Sequence, residues 1–133
     1  MNDRYLRGVD VIHRLSSDSL EEFLTSRVAE IAPDFARMAI ESSFGDIYAR
    51  DTLDLETREI AAIAALASLG HAGPQLRLHV AAALNLGITR GAIVEILMQS
   101  AIYGGFPAAL NALAQCHDLL TDKDCVSGSC GQT

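Results

Sequence analysis

The chain has 133 residues, half of them apolar and 20% charged, which suits one domain able to bury a core without disulfides. Seventeen acidic against ten basic side chains leave a net charge of −7; with 5% aromatics and no Trp, this surface excludes nucleic acid and anionic membrane as favoured partners. A mean hydropathy of +0.22 excludes global disorder.

Ala and Leu dominate, and no useful stretch alternates polar with apolar residues, so the chain reads as consecutive helices. A first amphipathic helix is expected over residues 4–14. Asp18 with Glu21 forms a capping-box pattern that opens a helix through Leu20, Phe23, Leu24, Val28 and Ile31. Pro33 suits the first turn of the next helix, whose short face holds Phe35, Met38, Ala39 and Ser42 before Gly45 ends it. Residues 46–54 are expected to be irregular.

Asp54 caps the following helix, and Glu56 and Glu59 suit its positive N-terminal end. From Ile60 to Leu69 that helix is apolar all round, which predicts a central helix or one in a subunit interface. Gly70 stops it. A helix over 74–86 follows, ended by Gly87. Thr89 caps one through Ile93, Ile96, Leu97, Ser100 and Ala101, closed by Gly104 and Gly105, and Pro107 begins the last, to about Leu120. The expectation is an all-α domain of six or seven helices over 1–120, followed by a polar, mobile tail over 121–133. The N-terminus mixes charges where a signal peptide is apolar, and a ten-residue apolar run is too short for a bilayer, so a soluble cytoplasmic protein is expected.

Few residues carry chemistry. His79 lies between Leu78 and Val80 in a helix rich in Ala and Leu, with Gln75 on the same face four residues earlier. It reads either as a half-buried histidine bonded to a carbonyl or as a general acid or base. Glu59 heads the most apolar helix, either as a partly desolvated carboxylate or as a complement to the helix dipole. Tyr103, beside Gly104 and Gly105, offers a hydroxyl to a pocket or simply packs; Glu95 suits a solvated face. Cys125 and Cys130 are spaced CxxxxC in the tail, which is wrong for a low-pKa redox pair, and Cys116 reads as buried. His71 and His79 lack a third ligand of suitable geometry, so no metal site is expected.

Together, L55-E-T-R58-E59-I-A-A-I-A-A-L, L76-R-L-H79-V-A-A-A-L-N-L-G87-I-T89 and E95-I-L-M-Q99-S-A-I-Y103-G-G105-F-P107-A-A-L-N111-A resemble the carboxymuconolactone decarboxylase family over roughly residues 50–115. F44-G-D-I-Y48 resembles the lead-in to that family's first core helix. The resemblance implies an AhpD-like helical bundle and a homo-oligomer, trimeric or hexameric. One branch of the family holds thiol peroxidases and disulfide reductases whose CxxC positions are Ala72 and Gln75 here, so the match is to the decarboxylase branch. It implies a small-molecule substrate, no cofactor, and Glu59 and His79 as the acid–base pair, with Tyr103 as a donor and Arg58 and Gln75 as substrate-binding residues. The competing expectations are a thiol-dependent oxidoreductase using the tail cysteines and a non-catalytic oligomeric binding protein.

Overall fold

The computed structural model describes residues 2–16, 22 and 26–121. The expected capping box at Asp18 and Glu21, the apolar positions Leu20, Phe23 and Leu24, and the tail from residue 122 with Cys125 and Cys130 lie outside the described residues. Among the described residues every regular element is helical, eight α-helices and one π-helix, so the chain is all-α. Contacts gather it into two compact units, Met1–Arg58 and Glu59–Thr133.

In the first unit, helix α1 spans Asp3–Leu15, and the Asn2 side chain accepts the Tyr5 N–H at 2.9 Å to cap it. Its buried positions Gly8, Val11, Ile12 and Leu15 form one helical stripe. The helix expected to run unbroken to Ile31 has instead a helix start at Ser26. That residue is extended and its hydroxyl accepts the Ala29 N–H at 3.3 Å, opening α2 over Arg27–Ile31. Serine caps because its side chain replaces the missing backbone acceptor. Pro33 then starts α3, Pro33–Ala39, as expected.

Gly45 does not end that helix. The chain continues from α3 into a π-helix over Ile40–Tyr48, and only residues 49–54 are irregular. Gly45 is buried where a Cβ would overlap the Arg4 carbonyl, and a Cβ on Gly8 would likewise meet the Ile40 carbonyl. The glycine therefore marks a close crossing of α1 over the π-helix, not a terminator. Arg4 adds ion pairs to Glu41 at 3.2 Å and Asp46 at 2.7 Å. Its hydrogen bond holds the Asp46 carboxyl below the usual range.

Helix α4 spans Leu55–Leu69, and Asp54 caps it by accepting the Thr57 N–H at 2.8 Å. From Glu59 onward α4 belongs to the second unit, with α5 (Gly73–Asn85), α6 (Arg90–Gly104), α7 (Phe106–Gln115) and α8 (His117–Leu120). The Thr89 hydroxyl caps α6 by accepting the Ala92 N–H at 3.1 Å. The expected last helix is broken at Cys116, whose non-helical backbone separates α7 from α8. Arg77 reaches across at this break, donating to the Gln115 carbonyl at 2.6 Å and to Asp118 at 2.6 and 2.9 Å.

The core of this unit comprises Ile63, Ala67, Leu76, Val80, Ala83, Ile93, Leu97, Ala112 and Cys116. Each large aliphatic side chain buried there contributes roughly 1.5–3 kcal/mol. Helix α4 commits one stripe, Glu59, Ile63 and Ala67, to burial, while Ile60 and Leu69 remain exposed. It is therefore not enclosed on all sides within one chain. No helix among the described residues is long and apolar enough to cross a membrane.

Candidate active site

The α4 stripe that places Ile63 and Ala67 in the core also carries Glu59 inward, because residues four apart share a helix face. Glu59 is 0% exposed. On α5, Leu76, Val80 and Ala83 face the same core, and His79 stands beside Val80 at the edge of that face, its side chain 21% exposed. The two helices bring His79 Nδ1 to 2.7 Å from Glu59 Oε2. A carboxylate is thus a partner of His79, and Glu59 is fully buried.

A buried carboxylate is tolerated only when hydrogen-bonded or paired. His79 Nδ1, at 2.7 Å, is positioned to provide that bond. The second Glu59 oxygen, Oε1, is buried and accepts no hydrogen bond among the described residues.

The other expected site residues differ in exposure and in partners. Tyr103 is 79% exposed, and the adjacent Gly104 lies so close to Ser68 that a Cβ would come within 2.7 Å of the Ser68 Cα. Ser68 is nine residues beyond Glu59 on α4, about 13 Å along the axis. Tyr103 thus belongs to the far end of α4. Gln75 is exposed one helical turn before His79. Arg58 is held in the first unit, where its Nη2 donates to the Arg50 carbonyl at 3.2 Å and its guanidinium lies 5.9 Å from the centre of the Tyr48 ring.

Sequence reasoning did not single out a shallow crevice lined by Leu66, Gly70, Ala72, Gly73, Asn111 and Gln115. Its signal was Gly73, where a Cβ would overlap the Gln115 side-chain oxygen. Ala72, at the first of the family's two cysteine positions, lines this crevice without a thiol. Cys116 is fully buried, and burial pushes its thiol up from the ordinary value, which suppresses the nucleophilic thiolate. Among the described residues no group of three or more His, Cys, Asp or Glu side chains is set to hold a metal ion.

The second unit is all-α and holds a buried carboxylate in hydrogen-bond contact with an imidazole. The sequence profile of the carboxymuconolactone decarboxylase family matches residues 33–118, well over half of the chain, and the protein belongs to that family. The match extends the motif resemblance upstream through α3 and the π-helix. The 4-carboxymuconolactone decarboxylase of Acinetobacter baylyi is 27% identical over 124 residues, covering 92% of each chain. An uncharacterised 15.0 kDa protein of Paracoccus denitrificans is 32% identical over 112 residues, covering 84% of each chain.

Proposed function

We propose that this protein is a decarboxylase of 4-carboxymuconolactone or a closely related unsaturated lactone acid, with His79 as the acid and Glu59 as its partner. The observation that carries the reading is the 2.7 Å contact between His79 and a fully buried Glu59 in a member of this family. The named activity of the Acinetobacter baylyi relative supports the choice of substrate.

In the proposed reaction the bond from ring carbon to carboxylate breaks and CO2 leaves. Its electron pair passes into the unsaturated lactone and onto the carbonyl oxygen. The imidazolium of His79 then gives a proton to carbon and is reprotonated from water. Glu59 Oε2 accepts the Nδ1–H throughout, which fixes the ring and stabilises its charged form. The substrate itself holds the transient charge, so the balance closes with one proton and no external electron acceptor.

A positioned acid of this kind contributes about 10²–10⁴-fold in rate, so His79→Ala should lower kcat by that factor while the far-UV circular dichroism is unchanged. Glu59→Gln should also lower kcat. The double variant should be no slower than His79→Ala alone, because the two side chains act as one unit. Full turnover by a folded His79→Ala variant would overturn the assignment.

A further inference from the structure

Long π-helices are rare; most are single turns set into α-helices, and many mark functional sites. Here one runs for nine residues straight out of α3, so contacts from outside the segment are needed to select it. Helix α1 makes them. A Cβ on Gly8 would overlap the Ile40 carbonyl, and one on Gly45 the Arg4 carbonyl. The Arg4 guanidinium donates to Glu41 at 3.2 Å through Nη1, and to Asp46 at 3.0 and 3.1 Å through Nε and at 2.7 Å through Nη2. Arg7 Nε donates to the Gly45 carbonyl at 3.4 Å. Two adjacent pairs therefore meet α1, Ile40 with Glu41 and Gly45 with Asp46, and the second pair lies five residues after the first. In an α-helix, residues five apart point about 140° away from each other around the axis. In a π-helix, where each N–H bonds five residues back, they stand one above the other. The π register is the one that turns both pairs toward α1.

The far end of the π-helix holds Arg58, within the same unit. Tyr48, its last residue, has the Arg58 guanidinium over its ring at 5.9 Å, and Phe44 packs against that ring at 5.2 Å. Arg58 Nη2 donates to the Arg50 carbonyl, and the Arg50 N–H donates to the Ile47 carbonyl at 3.1 Å. Arg58 Nε is buried and has no hydrogen-bond partner among the described residues. The contacts that place this cation thus hang from residues 47–50, whose direction depends on the register of the turns before them. We propose that Arg4 and Tyr48 are positioning residues: Arg4 locks residues 40–48 in the π register, and that register sets Tyr48 beneath the Arg58 guanidinium. Relaxed to an α-helix, Asp46 would swing about 140° out of line with Glu41 and carry Tyr48 with it. That Arg58 meets a carboxylate of the substrate rests on the reaction proposed above; the placement of its guanidinium does not.

Nuclear magnetic resonance of the full chain tests the placement without substrate. The wild type should show an Overhauser contact between the Glu41 Hα and the Asp46 N–H, across one π turn, and another between the Tyr48 ring and the Arg58 side chain. Folded Arg4→Ala should lose both. Should that variant fail to fold, Asp46→Ala, which removes one of the two carboxylates that Arg4 grips, should lose both in its place. In turnover of the lactone acid, Arg4→Ala and Tyr48→Leu should each raise KM about two- to fivefold at unchanged kcat, the effect of one lost cation–ring contact. Tyr48→Phe keeps the ring and should stay nearer the wild type. A wild type lacking either Overhauser contact, a folded Arg4→Ala or Asp46→Ala variant that keeps the Tyr48–Arg58 contact, or an unchanged KM in Tyr48→Leu would each overturn the proposal. Should the wild type leave the lactone acid untouched, the reaction is misassigned, and the two Overhauser contacts alone decide the positioning.

Discussion

Glu59 and His79 lie 20 residues apart and meet because each sits one position from, or within, a stripe committed to the same core. That placement was legible in part. His79 interrupts an apolar helix, and Glu59 heads another, so both stood out as polar residues in apolar company. The direction of each side chain was not legible, since it depends on how α4 turns about its axis when Ile63 and Ala67 pack. Tyr103 shows the converse: a motif position with chemical potential that packing leaves at the surface, at the far end of α4. Asp118 is a residue whose role needed the fold entirely. Its hydrogen bonds from Arg77 hold the carboxyl at about 2, below its ordinary 3.8. A lowered carboxylate favours the folded state at pH above the ordinary value, and that contribution is lost as pH falls through about 2. Asp118→Asn should therefore lower Tm modestly at neutral pH, and the gap from the wild type should close as pH falls from about 4 to about 2. Identical acid dependence of the two proteins would refute this.

At the scale of elements, the legible features were those encoded locally. Asp54 and Thr89 cap as expected because a cap needs only one side chain and a backbone N–H three residues on. Pro33 begins a helix for an equally local reason. The misread boundaries all depend on distant partners or on small conformational differences. Gly45 resembles a terminator until Arg4, 41 residues away, is seen to need the space of its missing Cβ. Cys116 gives no sequence sign of a break, which is held by Arg77 across the Gln115 carbonyl and Asp118. Glycines within one helix make the distinction testable. A Cβ on Gly91, in the first turn of α6, meets nothing within 4 Å, so Gly91→Ala should stabilise by about 0.4–1 kcal/mol through the unfolded state. At Gly104, the last residue of the same helix, the Ser68 backbone is in the way, and Gly104→Ala should destabilise by about 1–3 kcal/mol. Urea denaturation of both variants should show the opposite signs; a shared sign would mean that close packing at Ser68 is not what Gly104 serves.

For the whole molecule, composition and helical periodicity established the all-α class, and a long stretch of motif spacing established the family. The division into Met1–Arg58 and Glu59–Thr133 was not legible, because it falls inside α4 with no change in composition to mark it. Nor was the exposure of Met98, Ile102, Phe106 and Leu110 on α6 and α7, since an uncharged stretch reads equally as buried core. The acid–base reading depends on the molecule doing what its family and the His79–Glu59 contact support together. The most direct test is to incubate the wild-type protein with 4-carboxymuconolactone and follow CO2 release alongside substrate loss. The account predicts catalytic turnover with one CO2 per substrate consumed, a product bearing one solvent-derived hydrogen on a ring carbon conjugated with the lactone carbonyl, and loss of this activity in His79→Ala. CO2 release no faster than in buffer, or unchanged in a folded His79→Ala variant, would contradict it.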